Sequence, residues 1–281
     1  MHKKEIYLCS ICNVSSGACS EDCAFCTQSV KYDTDIEVYR YKSIDLILKE
    51  AHFAKKSGAI GFCLVTAGKG IDKKSLDYIC ELSFHLNKEL PDLNLIACNG
   101  IASIEDLKEL KKSGIRSYNH NLESSKEYYK KICSTHDWDD RYQTCLNVKE
   151  VGLDLCCGGI FGMGESYDDR LSLVESIKSL SPASVAINFF HPNPSLYLEK
   201  NITLDEALFW IKYVRENLPR SMVMVAGGRE ITFKDRVGEI FEMGANSIVI
   251  GNYLTTRGEL VDRDLKMLKD LGLEVAKNCN E

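Results

Sequence analysis

The stretch from Ile44 to Ala67, IDLILKEAHFAKKSGAIGFCLVTA, contains the pattern that decides the fold. Apolar residues recur at helical spacing in its first half, which predicts a helix over 44–56. Ser57-Gly58 follows, and glycine at this position is typical of a left-handed helix C-cap. The apolar run 61–67 then predicts a buried strand. A helix that leads through a glycine into a strand is the repeating unit of an α/β protein with a parallel sheet.

The same unit recurs along the whole chain. Strands are predicted over 6–11, 61–67, 93–99, 115–121, 153–158, 184–189, 222–226 and 247–251. Helices are predicted over 44–56, 74–90, 104–112, 139–151, 167–180, 204–217, 232–243 and 263–271. This alternation predicts a closed (β/α)8 TIM barrel rather than an open doubly wound sheet. No composition shift or linker marks a second domain, so residues 1–281 are expected to form one domain.

Composition limits the class of protein. With 44% hydrophobic and 27% charged residues, the chain is an ordinary globular protein. Its net charge of −6 argues against a nucleic-acid partner. No apolar run is long enough to span a membrane, and the N-terminus lacks the apolar region of a signal peptide. The 13 scattered cysteines indicate reduced thiols and metal ligands. We therefore expect a cytoplasmic protein.

The loop predicted over 17–30 contains a C-x3-C-x2-C motif, which is formed by Cys19, Cys23 and Cys26. A cubane iron–sulfur cluster normally takes four thiolates, so three would leave one iron open to bind a small molecule. Zinc is the alternative, because Cys9 and Cys12 form a C-x2-C pair just upstream. Disulfides fit poorly, since nothing indicates secretion. The spacing favours an iron–sulfur cluster.

Thiol and polar side chains also follow several predicted strands, where a barrel of this kind carries its active site. They are Cys63, Cys98, Cys156, Cys157, Asn188 and Arg229. Strand alternation places Cys156 and Asn188 on the inner face and Cys157 against the helices. Any of these cysteines alone is more often a small packing residue. Together they describe an interior that is costly unless a ligand or metal fills it, which favours a second metal–sulfur site.

With these features, the sequence resembles the biotin synthase family of radical S-adenosylmethionine enzymes. The resemblance covers nearly the whole chain and is carried, in order, by the motifs Gly17–Cys26, Tyr118–Ser125 (YNHNLESS), Cys156–Glu165 (CCGGIFGMGE) and Ala226–Glu230 (AGGRE). It implies a sulfurtransferase that inserts sulfur into dethiobiotin to form biotin, the final step of biotin biosynthesis. It also implies S-adenosylmethionine, a 4Fe–4S cluster and a 2Fe–2S cluster as cofactors.

The resemblance further implies roles for single residues. Cys19, Cys23 and Cys26 would ligate the 4Fe–4S cluster, and the 2Fe–2S cluster would be held by Cys63, Cys98, Cys156 and Arg229. S-adenosylmethionine would be contacted by Phe25, Asn121, Glu123 and Arg141, and dethiobiotin by Asn121 and Asn188. Glu123 stands where many relatives have Asp. Arg229 is unexpected as a ligand, because a guanidinium stays protonated and normally only donates hydrogen bonds.

Other interpretations remain open. A related barrel enzyme, such as the maturase of [FeFe]-hydrogenase, would share the C-x3-C-x2-C motif. A non-catalytic iron–sulfur sensor or carrier would also use cysteines of this kind. Cys80, Cys133 and Cys145 lie in or beside predicted helices and are interpreted as packing residues. The resemblance suggests a homodimer and requires an electron donor and a source of sulfide, which the sequence does not specify.

Overall fold

The computed structural model describes residues 5–278, and a closed ring of parallel strands forms its centre. The strands are β1 (Glu5–Asn13), β2 (Gly61–Val65), β3 (Asn94–Cys98), β4 (Ser117–Asn119), β5 (Asp154–Cys156), β6 (Gly159–Phe161), β7 (Ser184–Phe189), β8 (Met222–Val225), β9 (Ser247–Ile250) and β10 (Glu274–Val275). The ring closes because β1 pairs with both β2 and β9. β5 and β6 both pair with β7 and share one position in the ring, while β10 extends the start of β1. The predicted (β/α)8 barrel is therefore confirmed; the single domain stays a prediction.

Helices surround the ring, and several of them begin at a side-chain cap. They are α1 (Ile44–Lys56), α2 (Lys73–Glu89), α3 (Ile104–Lys112), α4 (Lys126–Ile132), α5 (Trp138–Val151), α6 (Tyr167–Leu180), α7 (Leu204–Asn217), α8 (Arg229–Phe233), α9 (Glu239–Glu242) and α10 (Val261–Asp270). Ser103 and Asp106 form a capping box at α3, and Thr203 and Glu206 form one at α7. Each box satisfies backbone N–H groups that a helix start would otherwise leave without partners.

Glycines end four of the helical segments in the predicted conformation. Gly58, Gly114, Gly152 and Gly244 all have positive φ angles, between 72° and 105°. Residues with a Cβ rarely adopt this backbone, so glycine lets the chain turn sharply from helix to strand.

The predicted helix 232–243 differs from the structure. A short helix α8, a 3-10 turn over 234–236 and a second short helix α9 occupy this region. Lys234 has φ 50°, which ends α8, and Gly238 lies against Leu271 at the end of α10. The predicted helix is interrupted here because α8 begins at the buried Arg229 while the residues that follow must still pack against α10.

The strand predicted over 153–158 is interrupted at Gly158 and resumes as β6. A Cβ built on Gly158 would lie 1.8 Å from the carbonyl oxygen of Ala186 in β7. Only glycine permits this approach of two backbones. The chain is displaced between Cys156 and Gly159 at this interruption. The ring stays closed because β5 and β6 both pair with β7.

Apolar packing falls into two groups. The larger group lies between strands and helices, whereas a small separate group inside the ring contains Cys9, Cys63, Val65, Met224, Ala226 and Val249. Cys98 and Tyr253 pack against this interior group. The barrel interior is therefore thiol-rich, as the sequence predicts.

Candidate active site

The loop that carries Cys19, Cys23 and Cys26 lies over one end of the barrel. Its backbone is closed by hydrogen bonds from the Cys19 N–H to the Gln28 carbonyl and from the Val30 N–H to the Cys19 carbonyl, 3.1 and 2.8 Å long. Burial raises the pKa of Cys19 and raises that of Cys26 to about 11. These thiols are therefore protonated at neutral pH when no metal is bound, and cluster binding must release their protons.

Two acidic residues of the loop fix it to the segment that follows α4. Asp22 accepts hydrogen bonds from the backbone N–H groups of Ser134 and Thr135, at 2.9 and 3.2 Å. The Oε2 atom of Glu21 lies 2.6 Å from the Nδ1 atom of His136. Hydrogen bonds from Ser134 and Thr135 hold the pKa of Asp22 well below its usual range. The loop is thus docked on residues 133–136.

A thiol and an imidazole that the sequence analysis assigned no chemical role lie beside this loop. The Sγ atom of Cys133 is 3.7 Å from the Sγ atom of Cys23 and 3.3 Å from the Nδ1 atom of His136. The Nε2 atom of His136 is 2.7 Å from the Tyr129 hydroxyl. Cys133 was interpreted as a packing residue, but it contacts a predicted cluster ligand. In the sequence, the C-x2-H spacing of Cys133 and His136 was the signal that could have indicated a chemical role for these two residues.

The end of β4 brings together three residues predicted to contact S-adenosylmethionine. Arg141 on α5 donates from Nε to the Asn121 carbonyl at 2.7 Å and from Nη2 to Glu123 Oε1 at 3.1 Å. Glu123 has a positive φ of 67°, which is uncommon for a residue with a side chain and is typical of strained functional positions. Burial raises the pKa of Glu123, although Arg141 opposes this. Phe25 lies half-buried in the loop and packs against the outer core.

Several polar atoms in this region are buried without a hydrogen-bond partner within residues 5–278. They include the Oδ1 atoms of Asn99, Asn119 and Asn121 and the Oε2 atom of Glu123. Leaving such an acceptor unsatisfied costs about 1–3 kcal/mol. A ligand that donates hydroxyl and amine hydrogens would satisfy them, so these residues fit a sugar or ureido group.

Three predicted thiols face the barrel interior. Contact with Cys98 and burial raise the pKa of Cys63, with smaller contributions from Cys9 and Cys156. Cys157, in contrast, lies in the outer core with its Sγ atom 3.9 Å from that of Cys145. Strand alternation therefore sorts Cys156 from Cys157 correctly.

Cys9 and Cys12 do not form a joint metal site. Cys9 belongs to the interior group and Cys12 to the outer core, so the two thiols point to opposite faces of β1. Residues three apart on a strand face opposite sides. The zinc alternative built on this pair is therefore not supported.

Arg229 is buried at the start of α8 and is held by carboxylates. Its Nη1 and Nη2 atoms donate to the two oxygens of Asp264 at 2.7 and 2.8 Å, and Nη2 also donates to Glu230 at 3.1 Å. The side chains of Arg229 and Asp264 are only 1% and 3% exposed. Sequence reasoning did not identify Asp264, which lies 35 residues further along the chain.

Asn188 at the end of β7 links neighbouring strands. Its Nδ2 atom donates to the Gly159 carbonyl at 3.2 Å, and its Oδ1 atom accepts from the Gly227 N–H at 2.9 Å. It is therefore rigidly placed at the mouth of the barrel, between the Gly158–Gly159 break and the loop that leads to Arg229.

Two cavities are lined by residues other than Asn99, Asn119, Asn121 and Glu123. One of about 1060 Å³ opens between β1, α1 and residues 250–262. The other, of about 300 Å³, lies at the end of the barrel where the strands begin and is lined by Cys9, Cys156 and Met224, among others.

Comparison with known proteins defines the class of this barrel. Residues 13–177 match the Radical SAM superfamily, and residues 186–274 match the Biotin and Thiamin Synthesis associated domain. Methylornithine synthase has the same fold, with a TM-score of 0.82 and 17% identity over 97% of this chain and 84% of that chain. The FeFe-hydrogenase maturase of Carboxydothermus hydrogenoformans is similar, with a TM-score of 0.81 and 18% identity over 97% and 68% of the chains. The chain is a radical S-adenosylmethionine enzyme.

Two relatives are far more similar in sequence. The biotin synthase of Sulfurimonas denitrificans is 57% identical over 98% of this chain and 99% of its own length. That of Nitratiruptor sp. is 55% identical over 99% and 100%. The chain belongs to the biotin synthase family, which confirms the predicted family, function and enzyme class. Membership also implies the 4Fe–4S cluster and S-adenosylmethionine as cofactors. Across residues 5–278, every helix is too short or too polar to cross a membrane.

Proposed function

We propose that this chain makes biotin from dethiobiotin with two clusters held at different depths of one barrel. Cys19, Cys23 and Cys26 would hold the 4Fe–4S cluster in the loop, and a 2Fe–2S cluster in the interior would be held by Cys63, Cys98, Cys156 and Arg229. The observation that carries this proposal is the gathering of three thiols from three strands in the barrel, together with the unsatisfied polar atoms of Asn121 and Glu123.

The residues at the barrel mouth would bind and orient the substrates between the two sites. When bound, the clusters supply the electron that cleaves S-adenosylmethionine and the sulfur atom that enters dethiobiotin. Asn121 and Glu123 would accept hydrogen bonds from S-adenosylmethionine, with Arg141 fixing both acceptors. Asn121 and Asn188 would hold the ureido ring of dethiobiotin. Such positioning brings the reacting carbon close to the sulfur and excludes water.

The remaining parts of the proposal concern the protein's surroundings. We propose a cytoplasmic homodimer that receives its electrons from a separate donor protein. The net charge of −6 and the cysteine content support a reducing compartment without nucleic-acid binding.

A product assay tests the proposed function. Anaerobically reconstituted, reduced protein should form 5′-deoxyadenosine from S-adenosylmethionine, and added dethiobiotin should increase that yield and produce biotin. Cys80→Ala, at a half-buried position on α2, serves as the control and should behave as wild type. A sensor or carrier would form no 5′-deoxyadenosine. Cleavage that does not respond to dethiobiotin and yields no biotin would exclude this substrate.

Replacing Glu123 by Gln should weaken binding of S-adenosylmethionine. The substitution removes the charge from a buried acceptor whose Oε2 atom has no partner in the described chain. Hydrogen bonds to charged groups contribute about 1.5–3 kcal/mol, so the Kd should rise about 10- to 100-fold. Anaerobic calorimetry on cluster-loaded protein measures this. The matched control is Glu127→Gln on the exposed side of α4, and equal Kd values for both variants would contradict the assignment.

A further inference from the structure

We propose that, before a cluster is bound, the protein binds a Zn²⁺ ion through the thiolates of Cys23 and Cys133 and the imidazole of His136. These side chains come from two distant segments, the cysteine loop and the residues that follow α4. Zinc in proteins is bound mainly by cysteine sulfur and histidine nitrogen in a tetrahedral arrangement. Within residues 5–278, the donor atoms of this trio all lie within 4.8 Å of one another, and all three residues are buried. The trio therefore has the composition and the compactness of a zinc site.

The distances between the donor atoms match tetrahedral zinc. The Sγ atoms of Cys23 and Cys133 are 3.7 Å apart. Two sulfur atoms that each lie about 2.3 Å from one zinc ion in tetrahedral geometry are separated by about 3.8 Å. The Sγ atom of Cys133 is 3.3 Å from the Nδ1 atom of His136. The corresponding sulfur–nitrogen separation at a tetrahedral zinc ion is about 3.5 Å. Zinc binding therefore requires only small movements of these side chains.

Two neighbouring side chains orient the imidazole and complete the site. The Oε2 atom of Glu21 lies 2.6 Å from the Nδ1 atom of His136, and both side chains are buried. A zinc ion on Nδ1 would replace the proton of this hydrogen bond, so the Glu21 carboxylate would face the ion and supply the fourth ligand. The Nε2 atom of His136 lies 2.7 Å from the Tyr129 hydroxyl. A hydrogen bond on the second ring nitrogen is the usual means of orienting a metal-binding histidine.

Zinc at this position would compete with the 4Fe–4S cluster, because Cys23 belongs to both sites. This part of the inference rests on the proposed function, in which Cys19, Cys23 and Cys26 hold the cluster. Zinc binding would release the protons of the two thiols to solvent and hold the Cys23 thiolate beside Cys133. Bound zinc would thus protect the cluster-free loop and delay assembly of the cluster until the ion is removed.

X-ray absorption at the zinc edge tests the ligand set in the wild-type protein. Cluster-free, full-length protein loaded with a single equivalent of Zn²⁺ should show two sulfur and two nitrogen or oxygen neighbours. Zinc on Cys19, Cys23 and Cys26, or on the interior thiols, would show three sulfur neighbours and would overturn the inference. This measurement needs no substitution, so it does not depend on the folding of a variant.

The zinc affinity of Cys133→Ser provides a second test. Loss of an outer partner of a metal ligand costs about 10- to 100-fold in affinity, so loss of a ligand itself should raise the Kd for Zn²⁺ at least about 100-fold. Competition with a chromophoric chelator measures the Kd, and circular dichroism checks the fold of each variant. Cys80→Ser on α2 and Cys19→Ser in the loop are the controls and should bind Zn²⁺ as wild type does.

The affinities distinguish this site from the other thiols. An unchanged Kd in Cys133→Ser would overturn the site. A Kd raised as much by Cys19→Ser as by Cys133→Ser would also overturn it, because the ion would then be bound by the loop cysteines. If Cys133→Ser does not fold, Cys133→Ala is measured in its place, with the same expected result.

Cluster assembly separates this inference from the proposed function. A single equivalent of Zn²⁺ should slow anaerobic reconstitution of the 4Fe–4S cluster in wild type, followed by visible absorption, and should have less effect in Cys133→Ser. Equal slowing in both proteins would overturn the competition at this site. A normal 4Fe–4S cluster in Cys23→Ser would overturn the ligand assignment in the proposed function, and with it the competition, but not a zinc site established by X-ray absorption.

Discussion

Alanine in place of Cys23 is expected to reduce 5′-deoxyadenosine formation to background, whereas alanine in place of Cys63 should preserve that product and abolish biotin. Cys23 lies in the loop docked over the barrel, and Cys63 lies in the interior beside Cys98. Because the two thiols are proposed to ligate different clusters, each removal should disable a different half of the reaction. Chromatographic quantification of 5′-deoxyadenosine and biotin in the same anaerobic reaction measures both effects.

The matched control for this experiment is a cysteine of the outer core. Cys157→Ala removes a buried thiol next to Cys156 on the opposite face of the strand, so both products should still form. If Cys63→Ala and Cys157→Ala lost biotin equally, simple destabilisation of the barrel would explain the result and the interior cluster site would be refuted.

Replacement of Asp264 by Ala should cause a larger loss of stability than replacement of an exposed charged residue. Within residues 5–278, it leaves the buried guanidinium of Arg229 with the partly exposed Glu230 as its remaining carboxylate partner. Removing one partner of a buried ion pair typically costs about 3–5 kcal/mol. Urea unfolding of the cluster-free protein under reducing conditions measures the change in the free energy of unfolding.

Two further variants show whether the effect comes from the buried charge. Asp262→Ala, at an exposed position on the same helix, should change the free energy of unfolding by less than about 0.5 kcal/mol. The double variant Arg229→Met/Asp264→Leu should recover much of the stability, because apolar replacement of a whole ion pair is often neutral or stabilising. Asp264→Ala with wild-type stability would contradict the importance of this pair.

Much of the architecture follows from local sequence patterns. The predicted strands and most helices recur in the structure because strong apolar periodicity and glycine caps act within a few residues. Strand alternation also distinguished Cys156 from Cys157 without any knowledge of the neighbouring strands. These are properties of one element at a time, so a single sequence reveals them.

The features that sequence reasoning missed depend on contacts between distant segments. The break of the predicted helix 232–243 accompanies the packing of Gly238 against Leu271. Helix α4 is only seven residues long, too short for a clear periodic pattern. Asp264 meets Arg229, and Cys133 meets Cys23, across 35 and 110 residues. Only the closed barrel brings these groups together.

The docking of the cysteine loop has a consequence for how the enzyme tolerates change. Residues 133–136 form hydrogen bonds with Asp22 and Glu21. The Nε2 atom of His136 also lies 3.3 Å from the Nη1 atom of Arg141, which donates a hydrogen bond from Nη2 to Glu123. One short segment thus contacts both the loop that is proposed to hold the 4Fe–4S cluster and the residues that are proposed to bind S-adenosylmethionine. Substitutions at these two places should be energetically coupled rather than additive, so they would have to evolve together.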